Sequence, residues 1–549
     1  MSKQGLYKPK NPVRVVTASS LFDGHDASIN IMRRIMQSQG AEVVHLGHNR
    51  SVKDVVDAAV EEDVQCVAVS SYQGGHVEYF EYLVDLLAAA GRGNIKVVGG
   101  GGGVIVPEEV ARLREHGVHI FSPEDGQRLG LAGMINSVIR DADFDLADKG
   151  MPALGDVLAG ERPAVARAMT CAEEGRLEGE LATGIHEAAK RSSAPVLGIT
   201  GTGGSGKSSL TDELLRRFRV DQKDTLRIAV IACDPSRRRG GGALLGDRIR
   251  MNSLDGERIF FRSLATRGHH ELPDALTDLI AVAKAAGNDL VIVETPGIGQ
   301  GDAGILRFVD TSLYVMTPEY GAASQLEKID MLDFADAVAI NKFERRGAMD
   351  ALRAVSRQMV RNREAFSSSP DEMPVFGTSA ASFNDDGVTA LYQHLARVLS
   401  ERGLSLATGS LEHVSVRHSS HSAQIVPPAR VRYLSEISET VRRYHAETER
   451  IAEAASRLQH LDFARSELEA ADQDTGALAE LVVKAAADVP ADLIEEIATW
   501  PEVVAAYSGD QASFEVRGRK VHAQLTRESQ SGSLIRRVSL PKLRDHGEL

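Results

Sequence analysis

The stretch Gly201-Thr-Gly-Gly-Ser-Gly206-Lys207-Ser208 constrains this chain more than any other. It satisfies GxxxxGK[ST] in full, directly after the apolar run 194–200 and before the helix-forming run 209–218. A strand, a glycine loop and a helix start in that order make a phosphate cradle. The glycines let backbone N–H groups curl round the anion, and the helix N-terminus adds a positive field. Gly201, Gly203, Gly204, Ser205, Gly206, Lys207, Ser208 and Ser209 are therefore expected to hold a nucleotide. Lys207 would reach the outer phosphates and the Ser208 hydroxyl would bind Mg²⁺.

The chain around this motif alternates strands and helices from 191 to 405, with strands over 227–232, 290–293, 312–316, 337–340 and 375–376. The run 291–293 delivers Glu294-Thr295-Pro-Gly297-Ile-Gly-Gln300, an acid and then glycines, where such an enzyme keeps its Mg²⁺-associated carboxylate and its γ-phosphate sensor. Lys207, Glu294 and Gln300 are the candidate catalytic groups. After the strand 337–340 comes Asn341-Lys342-Phe343-Glu344, similar to the guanine-reading NKxD with a longer acid. Ser379-Ala380 stands where a second guanine loop is expected. Together the two loops favour GTP over ATP.

A second alternation occupies residues 1–145: strands over 13–17, 43–44, 67–70, 95–98 and 118–121, with helices between them. This is the pattern of a parallel doubly wound α/β sheet, in which ligands bind beyond the carboxyl ends of the strands. Three of its loops open on that edge. Asp23-Gly-His25 follows the first strand, Ser70-Ser-Tyr72 the third, and five glycines, 99–103, the fourth. A neutral imidazole there suits a transition metal, with a nearby carboxylate to orient it. The small residues leave room for a large planar ligand to bring a tail down between strands.

At 549 residues the chain is too long for one core. Residues 146–190 are helical and charged and read as a connector; 406–549 read as a linker region, helical first and then short strands. A net charge of −14 argues against a general nucleic-acid surface. Cys66, Cys171 and Cys233 are scattered without CxxC pairing, which points to a reducing, cytoplasmic setting. No run approaches the roughly 18 apolar residues of a membrane span.

Residues 13–145 resemble the cobalamin-binding domain of the acyl-CoA mutases, a flavodoxin-like fold with the signature DxHxxG, SxL and GG. The resemblance implies adenosylcobalamin with His25 as the lower cobalt ligand and Asp23 bonded to its other nitrogen. Ser70, Gly102 and Gly103 would line the nucleotide tail. The chain departs from the signature at Ser28, where the family has Gly, and at Tyr72, where it has Leu. Residues 190–405 resemble the mutase-associated G-protein chaperones, which share Asp234-Pro-Ser236 and the run Gly246-Asp-Arg-Ile-Arg-Met251. That resemblance implies Asp234, Asp247, Glu294 and Thr295 around the Mg²⁺ with Ser208, Arg250 near the nucleotide, and a switch from Gly297 to Asp302.

The order of modules resembles the fused isobutyryl-CoA mutase family. It implies a radical rearrangement of isobutyryl-CoA to n-butyryl-CoA, GTP hydrolysis gating cofactor loading, and a homodimer. The acyl-CoA-binding barrel of that family needs about 250 residues, and no eight-fold alternation follows residue 430. The barrel is therefore expected on another polypeptide or beyond a truncation. The alternative is a stand-alone GTP-hydrolysing cobalamin chaperone, or a small subunit acting on a separate mutase; a cobalamin-dependent regulator would show an output domain.

Overall fold

The computed structural model describes residues 7–236, 241–245, 248–267, 272–297, 302–320, 326–327, 329–420, 430, 432–516, 519–530 and 532–549. It divides into a unit spanning Met1–Ile425 and another spanning Val426–Leu549.

The larger unit is built on two parallel sheets. Its strands are β1 (Arg14–Ser20), β2 (Glu42–Arg50), β3 (Cys66–Ser70), β4 (Lys96–Gly100), β5 (Val118–Ile120), β6 (Val196–Gly201), β7 (Ile228–Asp234), β8 (Ala243–Leu245), β9 (Ile259–Ala265), β10 (Leu290–Glu294), β11 (Thr311–Met316), β12 (Ala337–Asn341) and β13 (Val375–Thr378). The helices that matter here are α1 (Ala27–Ser38), α2 (Val52–Glu61), α3 (His76–Ala89), α4 (Pro107–Glu115), α5 (Pro123–Ala142), α6 (Leu154–Ala159), α7 (Arg162–Glu173), α8 (Gly179–Arg191) and α9 (Lys207–Asp221).

The first sheet runs β5-β4-β3-β1-β2-β8. Period-two alternation drives it: Val13, Val15 and Val43 pack with Met36, Ile135 and Ile139 on one face. Val16, Ala18 and Val44 pack with Val55, Phe80 and Leu83 on the other. Chain order reverses at the β1–β3 boundary, where an open α/β sheet forms its ligand crevice. The sequence pattern gives five strands here, and the structure adds a sixth. β8, three residues from the second module, lies parallel to β2 in the register Glu42↔Ala243 and Val44↔Leu245.

The second sheet runs β13-β12-β11-β6-β10-β7-β9. The residues read as a connector form α6, α7 and α8, which cover one of its faces. Val165, Met169 and Ile185 pack there with Ala229, Ile231 and Val293. On the other face Leu210, Leu214 and Phe218 of α9 pack with Leu197, Val230 and Ile292.

The smaller unit holds helices Tyr433–Ala470, Gly476–Ala486 and Ala491–Ser508 and two antiparallel strand pairs. Among the described residues no helix is long and apolar enough to cross a membrane.

Candidate functional site

Two sites stand at carboxyl ends of strands in the larger unit. In the first sheet, β1 ends at Ser20 and the chain turns through Asp23 to His25. Asp23 is buried and His25 is exposed, with its side chain 78% accessible. Asp23 Oδ1 accepts from the His25 backbone N–H and lies 2.9 Å from His25 Nδ1; Oδ2 accepts from the Tyr72 backbone N–H at 2.6 Å. Burial by itself would raise the Asp23 carboxyl. The two backbone donors and the imidazole outweigh it and hold the group below its ordinary value. With Nδ1 engaged, Nε2 is the ring nitrogen left to take a metal.

Beside this pair runs a slot of about 200 Å³. Ser28, Met32 and Met36 of α1 form one wall and Ile135 and Val138 of α5 another, with Ser70, Tyr72 and the residues from Gly99 to Gly102 across the strand ends. Of the residues expected to line a tail, Ser70 and Gly102 do line it. Gly102 adopts φ 58, and Gly103 has open space where a Cβ would stand. An exposed imidazole on a buried carboxylate, next to a narrow and mostly apolar slot, fits a corrinoid with a nucleotide tail.

In the second sheet, β6 leads into the P-loop. Gly201 adopts φ 144, and a Cβ there would lie 1.9 Å from the Val315 carbonyl oxygen, so only glycine lets β6 turn this close to β11. Gly206, also left-handed at φ 89, precedes α9, whose first residue is Lys207. Lys207 Nζ donates to the Gly201 carbonyl at 3.0 Å. Ser208 Oγ donates to Glu294 Oε1 at 2.7 Å, joining the proposed Mg²⁺ hydroxyl to the acid at the end of β10. Thr211, one turn further along α9, donates to Glu294 Oε2 at 3.0 Å. The motif does not include Thr211, although its place four residues after Lys207 puts it on the same helix face.

The other proposed ligands are placed less uniformly. β7 pairs with β10 in the register Ala232↔Glu294, so Asp234 ends the neighbouring strand two residues further on. The Thr295 hydroxyl donates instead to Thr200 Oγ1 at 2.8 Å, within the sheet. Arg250 is exposed at the end of a 3₁₀ turn, two residues before Asn252, whose backbone N–H donates to Asp212 Oδ1 of α9. Asp247 and Gln300, with most of the expected switch, lie outside the described residues.

The base loops close on the P-loop from the far side. Buried Asn341 donates from Nδ2 to the Ser205 carbonyl (2.8 Å) and accepts at Oδ1 from the Ala380 backbone N–H (3.1 Å). Lys342 Nζ donates to the Gly204 carbonyl at 2.7 Å. Ser379 Oγ donates to Glu344 Oε2 at 2.9 Å, so the longer acid is held by the second loop. Asn341 thus clasps three loops together, a role its place in the motif does not reveal.

The comparisons with known proteins follow this division. Residues 13–130 match the family model of the B12 binding domain, and residues 165–425 that of the methylmalonyl-CoA mutase-associated GTPase MeaB. Across 549 residues, all of this chain and 51% of the relative, the sequence is 62% identical to a fused isobutyryl-CoA mutase of Nocardia farcinica. Along its whole length the chain resembles the fused isobutyryl-CoA mutases. Relatives of the same name from Cupriavidus metallidurans and Geobacillus kaustophilus are 56% and 50% identical over 98% and 99% of the chain, and 50% and 51% of their own length. The chain thus spans about half the length of the curated relatives it matches.

The larger unit joins its two sheets through buried ions. Glu173, at the end of α7, bonds Arg14 of β1 at 2.9 Å, Arg262 of β9 at 2.6 Å and Arg267 at 3.2 Å. Glu42 of β2 bonds Arg14 and Arg267 as well. Glu61, the last residue of α2, bonds Arg248 at 2.6 Å, and the buried Glu62 accepts from Ser263. Sequence reading misses all of these, because the partners lie 28 to 225 residues apart.

Proposed function

We propose that this chain is the cobalamin- and GTP-handling part of an adenosylcobalamin-dependent acyl-CoA mutase of the isobutyryl-CoA to n-butyryl-CoA type. The observation that carries it is the buried Asp23 on the exposed His25 imidazole at the reversal point of the first sheet, in one compact unit with a P-loop. Cobalamin, when bound, supplies radical chemistry through its cobalt–carbon bond. The chain's own part is to present His25 Nε2 to the cobalt, keep that ring in one tautomer through Asp23, and receive the nucleotide tail between α1 and α5.

At the second site Lys207 would stabilise the charge of the transferring γ-phosphoryl group. Ser208, Asp234 and Glu294 would hold the Mg²⁺, with Asp247 and Thr295 completing the set, and Gln300 would orient the attacking water. Asn341, Lys342 and Glu344, with Ser379 and Ala380, would read guanine. Hydrolysis would gate cofactor loading onto the acyl-CoA-binding part, which the remaining length of the relatives would supply, within a homodimer.

His25→Ala tests the reading. The unsubstituted chain should bind adenosylcobalamin with its own base displaced and a histidine on cobalt, and the variant should lose that absorption spectrum. Binding by the variant with an unchanged spectrum would remove His25 from the metal.

A further inference from the structure

A bond that neither motif requires crosses the mouth of the slot beside His25. The Tyr72 hydroxyl lies 2.9 Å from Ser28 Oγ, tying the first turn of α1 to the loop after β3. The Tyr72 ring stands over Gly102, where a Cβ would come within 3.1 Å of its Cε1, and 5.7 Å from the His25 ring. Tyr72 therefore bounds the slot on two sides.

At about 200 Å³ the slot is smaller than the roughly 300–1,000 Å³ usual for a ligand of drug size, so it must widen to take a nucleotide tail. Its floor cannot give, because the ends of β3 and β4 are paired in continuous register from Cys66↔Lys96 to Ser70↔Gly100. Its mouth can. The Ser28–Tyr72 bond is single, neutral and half-buried. α1 starts at Ala27, and its N-cap Asp26 accepts from the Asn30 side chain at 3.0 Å and caps no backbone N–H, whereas Ser122 caps α5. The first turn of α1 is thus less restrained at its backbone than the first turn of α5.

We propose that Ser28 and Tyr72 form a latch over this slot, which must open before the nucleotide tail of a cobalamin enters. The latch limits the rate of loading and leaves cobalt ligation to His25. This rests on the cobalamin reading of the site.

The test is stopped-flow mixing of the full chain with adenosylcobalamin, and separately with cobinamide, a corrinoid without the nucleotide tail. Tyr72→Phe and Ser28→Ala each remove the bond while sparing the packing. Each should speed cobalamin uptake about threefold to tenfold, the size of one neutral hydrogen bond. The final spectrum and the cobinamide rate should match the unsubstituted chain. Cobalamin uptake at or below the unsubstituted rate in both variants overturns the latch, as does equal acceleration of cobinamide. Failure of the unsubstituted chain to take up either corrinoid overturns the cobalamin reading itself.

Discussion

Replacing Glu173 with alanine should make the larger unit about 3–5 kcal/mol easier to unfold, the usual cost of stripping one partner from a buried ion pair. Burial alone would raise this carboxyl, but the guanidiniums of Arg14, Arg262 and Arg267 overcome it and hold Glu173 well below the usual carboxylate range. Arg262 is 1% exposed. Without Glu173 it would bond only the neutral Thr170 hydroxyl and the Glu61 carbonyl, with the Glu62 and Asp63 carboxylates near enough to feel its charge but not bonded to it. Arg14 keeps Glu42, so most of the loss falls on Arg262. Urea unfolding should be followed by far-UV circular dichroism, because the only tryptophan, Trp500, lies in the other unit. The main transition should fall by roughly 1 M urea. Glu173→Gln, which keeps the shape and removes the charge, should do nearly the same. A loss within about 0.5 kcal/mol, the range of ordinary surface changes, would refute the account.

Lys207→Ala should slow nucleotide hydrolysis roughly 100- to 1,000-fold in a phosphate-release assay, and hydrolysis at the normal rate would exclude Lys207 from the phosphates. In competition with labelled GTP, Glu344→Asp should widen the preference for GTP over ATP, and Glu344→Ala should nearly abolish it; equal displacement by ATP and GTP in the unsubstituted chain would mean the loop does not read guanine. His45, against Thr17 in the first sheet, is pushed down to about 4 by burial and by the charge of Arg33. The unfolded chain takes its proton near pH 6.5, so stability should decline as pH falls from about 6.5 to about 4, and His45→Gln should flatten that part of a melting-temperature profile.

What is legible in the sequence is what is contiguous. The P-loop, the acid that ends β10 and the three loops on the edge of the first sheet each carry their chemistry within a few residues, and each lies at a strand end where a doubly wound sheet must place it. The Ser208–Glu294 bond spans 86 residues, yet it follows once both strands are known, because β6 and β10 are neighbours. The connector shows the opposite case. Its charges read only as those of a helical connector, but Arg167 is buried on Asp63 through bonds of 2.8 and 3.0 Å, and Glu173 on three arginines. Composition gives the charge and not the partner, and the partner decides whether the charge faces water.

β8 carries the same lesson to the domain boundary. Ala-Leu-Leu has no strand signature of its own, and its extended form comes from pairing with β2, which would otherwise end the first sheet with an unpaired edge. The strand belongs by chain position to the second module, seven residues beyond Ser236 of the Asp-Pro-Ser run, and by hydrogen bonding to the first. Glu42, its partner in register, is also the carboxylate that bridges Arg14 and Arg267. One edge of the first sheet is therefore held both by a strand and by ions from the second module. A boundary drawn at residue 145 from composition would leave the β2 edge unpaired and Glu42 without Arg267. The pairing explains why the structure treats Met1–Ile425 as one unit, although its two motifs lie on separate sheets.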